Sequence, residues 1–240
     1  MKANPTIHEY TAPGSFHTAR GLSNQDVILS AENRRFLITA LADGAGSAAK
    51  GGEGARIACR SIIEQLLAGG QYYMDLTAEK AAHYLIGQIR FELNRYTGAD
   101  SSLRDYASTA MFLLLDRESS KILCLNLGDG MILGVDGEGC IVLSQPGLYR
   151  RGTCVTTTDG AERLTSVLFL DARQYSSVTL FSDGAWQLLY DRTKLRTPLQ
   201  ELMESGDFPS LGAYMARQNS YDDSSYIGLR FSSHAARRNS

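Results

Sequence analysis

The sequence lacks the features that mark membrane, secreted and nucleic-acid-binding proteins. No apolar run reaches the ~18–20 residues that a membrane-spanning helix requires, and the first ten residues lack the apolar stretch of a secretory signal. The formal net charge is only −2. This disfavours nucleic acid as an obligate partner, because phosphate backbones require a concentrated basic surface. We expect a protein that needs neither a membrane nor nucleic acid.

Cysteine is also scarce. The four cysteines, Cys59, Cys124, Cys140 and Cys154, lie far apart, and the sequence has no CxxC pair of the kind that binds zinc. A chain of this length does not need a disulfide framework to stabilise its core. The cysteines therefore favour a reducing, cytoplasmic setting.

No repeat, low-complexity stretch or linker-like change in composition divides the 240 residues. Hydrophobic residues make up 43% and charged residues 21%, which is ordinary for a globular protein with a sizeable core. We interpret residues 1–240 as one domain, with its core at about 14–231 and a short tail at 232–240.

Hydrophobic patterning predicts helices and strands in an order typical of an α+β fold. The predicted helices lie at about 55–67, 82–96, 185–190, 198–204 and 211–218, and the second has Asp75 or Thr77 as its cap and Gly98 just past its end. The predicted strands lie at 34–42, 109–115, 121–127, 131–135, 140–143, 178–181 and 226–231, with a further strand-like run at 27–29. Consecutive strands are too close for crossover helices, which indicates mostly antiparallel pairing. We expect two stacked sheets flanked by helices, an αββα sandwich.

Acidic residues recur where apolar strands begin or end. Asp43 and Asp183 follow apolar runs, Asp222 and Asp223 precede the last one, and Asp26 precedes 27–29. Each Asp-Gly pair taken singly is most simply a structural turn. Taken together, they would gather carboxylates at one edge of a sheet, where mutual repulsion requires a cation. All-oxygen ligands favour hard ions such as Mg²⁺ or Mn²⁺.

The order of these motifs resembles that of the type 2C metal-dependent protein phosphatases, and is most similar to their compact bacterial branch. The resemblance runs from about Gly14 to Leu229, and its most specific part is DGAGSAAKGGEGA at 43–55. The other matching motifs are QD at 25–26, STA at 108–110, GDG at 128–130, SDG at 182–184 and DDSS at 222–225. The family fold, a pair of antiparallel sheets flanked by helices, agrees with the predicted elements. The resemblance implies hydrolysis of phosphoserine and phosphothreonine esters.

The resemblance also assigns roles to individual residues. Asp43 would bridge two Mn²⁺ or Mg²⁺ ions, assisted by the backbone carbonyl of Gly44. Asp183 and Asp222 would ligate the first ion. Asp222 is preferred over Asp223 because DDSS aligns with the family's Asp-Asn-x-Ser/Thr, which places Asp223 at the Asn position.

Two further acidic residues complete the implied centre. Asp26 would lie in or next to the coordination shell, and Asp105 resembles the acidic residue that helps to hold a weakly bound third ion. A water bridging two ions would be deprotonated near neutral pH and would attack phosphorus directly. The implied substrate is a phosphorylated protein, so that the enzyme opposes a serine/threonine kinase, and we expect a monomer.

This sequence departs from the family pattern at several positions. Ala45 stands where many eukaryotic members have a histidine, Gln25 replaces a glutamate, and the family's GDS is GDG at 128–130, which we interpret as a structural turn. The family binds phosphate through an arginine, for which Arg20 is the nearest candidate. His17, which matches a histidine of the bacterial branch, is the alternative, although an isolated histidine is more often a surface residue.

Two competing functions agree less well with the sequence. A pseudophosphatase would bind phosphoprotein without turnover, but retention of Asp43, Asp183 and Asp222 argues against it. The Gly-rich loop could suggest a nucleotide-binding module, yet GAGSAAKGG lacks the spacing of a P-loop, and a GxGxxG site needs a βαβ unit.

Overall fold

The computed structural model describes residues 5–97, 102–149, 152–191 and 194–231. The helices are α1 (Ser15–Thr18), α2 (Gly51–Met74), α3 (Ala78–Thr97), α4 (Asp183–Leu189), α5 (Thr197–Ser205) and α6 (Phe208–Ala216). The long strands are β1 (Thr6–Ala12), β2 (Asp26–Glu32), β3 (Phe36–Asp43), β4 (Ala110–Asp116), β5 (Lys121–Leu127), β6 (Met131–Val135), β7 (Cys140–Ser144), β10 (Ser166–Asp171), β11 (Ser177–Phe181) and β14 (Ser224–Arg230). Short strand pairs are β8 (Leu148–Tyr149) with β9 (Gly152–Thr153) and β12 (Tyr190–Asp191) with β13 (Lys194–Leu195).

The ten long strands form two five-stranded antiparallel sheets. The first has the order β1-β14-β11-β6-β7, and the second has the order β10-β5-β4-β3-β2. Every pairing is antiparallel. The pairs β2–β3, β4–β5 and β6–β7 are joined by short hairpin connections, while α2 and α3 connect β3 to β4. The predicted α+β class with mostly antiparallel sheets is confirmed.

Three apolar clusters hold the layers together. The middle cluster joins the inner faces of the two sheets, with Leu41 and Leu113 from one sheet and Leu180 and Ile227 from the other. A second cluster packs α2 and α3 on the outer face of the second sheet. The third packs α4, α5 and α6 on the outer face of the first sheet. The order of layers is therefore helices, sheet, sheet, helices, as two amphipathic sheets require.

The predicted elements are found, with differences at their ends. Helix α2 is longer than predicted at both ends. At its start the glycine-rich segment Gly51–Gly54 is helical, and at its end the helix continues to Met74. Thr77 rather than Asp75 starts α3, since its Oγ1 accepts a hydrogen bond from the Lys80 amide and its carbonyl accepts one from Ala81. The predicted stop at Gly98 and the predicted tail at 232–240 lie outside the described residues.

Two of the ten long strands were not predicted, nor were the short strands β8, β9, β12 and β13. β1 is an edge strand with half-exposed polar residues, and β10 is only partly buried. All four cysteines are free, as expected. Among the described helices, none combines the length and the apolarity that crossing a bilayer demands.

Candidate metal centre

The second sheet contributes Asp26 and Asp43. Asp26 begins β2, Asp43 ends β3, and the two are directly opposite each other in the antiparallel pairing. Thr109 fixes the end of β3 from both sides: its Oγ1 accepts a 2.8 Å hydrogen bond from the Asp43 amide, and its own amide donates a 2.8 Å bond to the Asp43 carbonyl. The STA motif therefore positions Asp43.

The first sheet contributes Asp183 and Asp222. Asp183 is the first residue of α4, directly after β11, and Asp222 lies just before β14. The end of β11 pairs with the start of β14, Phe181 opposite Tyr226. Both carboxylates are therefore delivered to the same end of this sheet.

The carboxylates of the two sheets come together. Oxygen atoms of Asp43, Asp129 and Asp183 all lie within 4.8 Å of one another. Ligand atoms of His17, Asp222 and Asp223 form a second group of the same compactness. Among the described residues, these are the sets whose spacing suits a metal ion.

Asp129 is the residue that sequence reasoning missed. The GDG motif forms the turn between β5 and β6, as predicted, but the side chain of Asp129 also joins Asp43 and Asp183. Its context, an apolar strand followed by Asp-Gly, is the same pattern that singled out Asp43 and Asp183. That pattern was the available signal.

Asp26 is buried beneath the centre. Ser182 Oγ donates a 2.9 Å hydrogen bond to Asp26 Oδ2, and the Ser225 amide donates to the same serine oxygen at 2.9 Å. Burial raises the pKa of Asp26 to about 6; the serine hydrogen bonds lower it in part, and the charge of Asp223 raises it further. Asp26 Oδ1 is buried and has no hydrogen-bond partner in the part of the chain that the structure describes.

The other two strand-end carboxylates are perturbed in the same direction. Burial raises the pKa of Asp43 well above its usual range, and the charges of Asp26 and Asp183 raise it further. Burial, followed by the charges of Asp129 and Asp222, raises the pKa of Asp183 to about 7. In the metal-free chain, burial and mutual repulsion therefore both oppose ionisation of these groups.

Asp223 differs from its neighbour Asp222. Its carboxylate is fully buried and accepts hydrogen bonds from the Gly14 amide at 2.7 Å and the Gln25 amide at 2.6 Å. His17 Nδ1 lies 2.9 Å from Asp223 Oδ1, although the imidazole is not oriented for a well-aligned hydrogen bond. Asp223 thus ties together α1, the start of β2 and the start of β14.

The remaining predicted residues lie around this centre. Arg20 is exposed; its guanidinium stacks 3.7 Å over the Phe16 ring and donates to the Phe16 carbonyl. Asp105 lies in a 3₁₀ turn (Leu103–Tyr106), half-buried and in neither carboxylate group, while its carbonyl accepts from the Lys50 amide. Gly44 packs so tightly on α2 that a Cβ would lie 2.4 Å from the Gly51 carbonyl carbon.

The chemistry of the donor set fits a hard divalent cation. All donors of the Asp43 group are carboxylate oxygens, which such ions prefer over nitrogen or sulfur. Buried Asp26 Oδ1 and Asp129 Oδ1 have no hydrogen-bond partner within the described ranges, and such atoms normally find one. A bound cation would satisfy these oxygens and relieve the repulsion.

Comparison with known families decides the identity. The family model described as "Protein phosphatase 2C" matches residues 13–218, most of the chain. The chain belongs to the protein phosphatase 2C family. It is therefore a protein serine/threonine phosphatase, and the family's dependence on metal agrees with the carboxylate groups described above. No curated protein matches the sequence.

Solved structures share the 2C fold at low sequence identity. A bacterial serine phosphatase is 16% identical with a TM-score of 0.73, covering 95% of this chain and 98% of its own. The serine/threonine phosphatase Stp1 from Staphylococcus aureus is 14% identical with a TM-score of 0.74, covering 97% of each chain. RsbX in complex with magnesium is 14% identical with a TM-score of 0.59, covering 96% and 100%.

Proposed function

We propose that this 2C phosphatase hydrolyses phosphoserine and phosphothreonine in protein substrates at the carboxylate centre, with two Mn²⁺ or Mg²⁺ ions. The observation that carries the proposal is the meeting of Asp26 and Asp43 from one sheet with Asp183 and Asp222 from the other. Grouping several buried carboxylates without a cation would destabilise the fold. The magnesium bound to RsbX in its crystal structure supports the same class of ion here.

Each carboxylate has a place in this proposal. Asp43, with the Gly44 carbonyl, would hold both ions, Asp183 and Asp222 would hold the first, and Asp26 would lie in or beside the coordination shell. When bound, the ions would activate water as the nucleophile and offset the negative charge of the phosphoryl group.

The chain's own hydrogen bonds hold this geometry before substrate arrives. Thr109 fixes the backbone of Asp43, and Ser182 orients Asp26 while its own oxygen accepts the Ser225 amide. Ala45 stands in place of the histidine of many eukaryotic members, and its side chain has no titratable group that could donate a proton. Protonation of the leaving group would therefore fall to water or to another residue.

Asp105 is proposed as a ligand of a more weakly bound third ion. It lies outside both compact groups, so that such an ion would be held through fewer protein ligands. A lower affinity is the expected consequence.

Arg20 is proposed as the phosphate anchor, with His17 as the alternative. The start of α1 docks on the acidic segment: the Ser15 and Phe16 amides donate to the Ser220 and Tyr221 carbonyls at 2.9 and 3.0 Å. Arg20 follows α1 and is exposed. Its guanidinium can donate hydrogen bonds to two phosphoryl oxygens at once. His17 is buried against Asp223, which favours a positioning role for it.

The natural substrate is proposed to be a phosphoprotein made by an opposing serine/threonine kinase. We also propose that the enzyme is a monomer, that its chain forms one domain, and that it works in the cytoplasm.

The test is hydrolysis of p-nitrophenyl phosphate and of a phosphothreonine peptide, with Mn²⁺ or Mg²⁺ and with EDTA. We expect turnover with either metal, none in chelator, and a loss of several orders of magnitude in Asp43→Asn. Undiminished turnover in EDTA would exclude the metal mechanism. Tight phosphopeptide binding without turnover under every metal condition would instead identify a pseudophosphatase.

A further inference from the structure

Two aromatic side chains lie on the surface directly beside the metal centre. Tyr221 is the residue before Asp222, and its side chain is 70% exposed, more than any other large hydrophobic side chain in the described ranges. The centroid of its ring lies 5.4 Å from that of the Phe16 ring, and the two planes meet at 51°. We call this pair, Phe16 and Tyr221, the aromatic platform. A single exposed aromatic residue is ordinary, but this pair is contiguous with the proposed site of hydrolysis.

Close backbone packing fixes the aromatic platform relative to the carboxylates. The Phe16 amide donates a 3.0 Å hydrogen bond to the Tyr221 carbonyl. A Cβ on Gly14, just before α1, would lie 2.3 Å from the Asp222 carbonyl carbon, so α1 begins directly against the acidic segment. A ring nitrogen of His17, which follows Phe16, lies within 4.8 Å of a carboxylate oxygen of Asp222. The platform and the metal centre are therefore parts of one packed unit.

The charge beside the aromatic platform indicates what it can bind. The guanidinium carbon of Arg20 lies 3.7 Å from the centroid of the Phe16 ring, so the proposed phosphate anchor is in contact with the platform. This positive charge disfavours a lysine or arginine of a bound molecule on the same surface, because like charges repel. Aromatic rings pack favourably against apolar and aromatic side chains. The surface therefore suits an apolar group that is joined to a phosphate.

We propose that the aromatic platform binds an apolar side chain next to the phosphorylated residue of the protein substrate, with Tyr221 as the main contact. This inference rests on the proposed phosphatase function and specifies the sequence that the enzyme prefers around the phosphate. Consecutive Cα atoms are about 3.8 Å apart, both between Tyr221 and Asp222 and between neighbouring residues of a bound peptide. When the phosphorylated residue is at the metal centre, its neighbour can therefore reach the platform.

The test compares three phosphothreonine peptides that differ only in the residues on either side of phosphothreonine, which are leucine, serine or lysine. For the wild type we expect kcat/KM to be about fivefold higher with leucine than with serine, and lowest with lysine. Tyr221→Ala should reduce the preference for leucine to less than about twofold, mainly by raising KM, whereas Tyr221→Phe should keep it because the ring remains. The matched control is Tyr84→Ala, which removes an exposed tyrosine that contacts Tyr72 between α2 and α3. This variant should show the wild-type preference.

The outcomes separate this inference from the function on which it rests. If the wild type hydrolyses the three peptides equally well, or prefers lysine, the platform does not select the substrate and the proposed function stands. If the wild type hydrolyses none of them with any metal, both are wrong. Calorimetry with Mn²⁺ should give Tyr221→Ala the wild-type affinity, and weaker binding would show instead that Tyr221 acts by positioning Asp222. Thermal denaturation checks the fold of each variant, and the wild-type preference decides the inference even if Tyr221→Ala does not fold.

Discussion

At the scale of single residues, the adjacent acids Asp222 and Asp223 have opposite environments. Asp223 is fully buried and accepts hydrogen bonds from two backbone amides. Asp222 is half-buried and, among the described residues, accepts a hydrogen bond only from the Asp223 amide, at 2.9 Å. The expectation that the two side chains point to opposite sides is wrong: ligand atoms of His17, Asp222 and Asp223 lie within 4.8 Å of one another, because Asp222 lies in a bend before β14. The two acids differ in burial and in hydrogen bonding. The resemblance of DDSS to the family's Asp-Asn-x-Ser/Thr motif, which places Asp223 at the Asn position, agrees with this difference.

Substitution of the two acids should therefore have different effects on activity and stability. Asp222→Ala should abolish metal-dependent hydrolysis with little change in the free energy of unfolding. Asp223→Ala should reduce activity less but destabilise the fold by about 2–4 kcal/mol, because two buried amides lose a charged acceptor. Urea denaturation and a hydrolysis assay of both variants measure the two effects. The reverse order of severity in activity would transfer the ligand role to Asp223.

The raised pKa values predict how the metal-free protein responds to pH. Asp183, with a pKa of about 7 in the folded chain and 3.8 as its ordinary value, binds more proton in the folded state between these limits. The free energy of unfolding should therefore fall as pH rises through this window. A loss of more than about 1 kcal/mol is expected between pH 5 and 7.5, since one pKa unit corresponds to ~1.4 kcal/mol.

Urea denaturation in EDTA at the two pH values measures this loss. Asp43→Asn should be more stable than the wild type at pH 7.5 without metal, because it removes one repelling carboxylate. A wild-type stability that is flat or rising over this range would contradict the crowding on which the metal site is argued.

At the scale of elements, α4 packs closely against the segment before β14 because Gly184 has no side chain. A Cβ on Gly184 would lie 2.1 Å from the Asp223 carbonyl oxygen, which is backbone and cannot move alone. Gly184→Ala should therefore push α4, with Asp183, away from Asp222. We expect a loss of about 2 kcal/mol or more in unfolding free energy and weaker Mg²⁺ binding.

The control is a helical glycine without neighbours. Gly87, in α3, is exposed, and a Cβ there meets nothing within 4 Å. Gly87→Ala should raise stability by up to about 1 kcal/mol through helix propensity and leave metal affinity unchanged. Thermal denaturation and Mg²⁺ titration compare the two variants, and wild-type metal affinity in Gly184→Ala would contradict this account of the element contact.

The sequence predicted those elements whose apolar residues are buried together. Strands such as Lys121–Leu127 and Met131–Val135 agree with their predicted bounds, because almost every residue in them is apolar and buried. β1 escaped detection because an edge strand buries little and its polar residues obscure the period of two. Asp129 escaped because its Asp-Gly context, which Asp43 and Asp183 share, is equally that of a structural turn, and tertiary contacts are needed to tell the two apart.

At the scale of the whole molecule, the metal centre lies across both sheets. Asp26 and Asp43 belong to one sheet, Asp183 and Asp222 to the other, and Asp129 lies on the connection between them. An ion bound there joins the two layers that the middle apolar cluster also joins. Metal binding should therefore stabilise the global fold and not only the loops around the site.

This coupling can be measured as stability at increasing Mg²⁺. A ligand that binds only the folded state adds about 2.7 kcal/mol at a hundredfold excess over its dissociation constant. We expect a shift of this order in the urea-unfolding free energy of the wild type, in a single cooperative transition. Asp43→Asn should lose most of the shift, since it removes the proposed bridging ligand.

Asp116 provides the control for charge and burial. It lies at the opposite end of β4 from Thr109 and is held by Arg35 through two hydrogen bonds of 3.0 and 2.8 Å. Asp116→Asn should lower the stability without metal, because it weakens a buried, charge-assisted pair, yet keep the full Mg²⁺ shift. If Asp43→Asn keeps the shift and Asp116→Asn loses it, the stabilising ion binds elsewhere and the centre between the sheets is not its site.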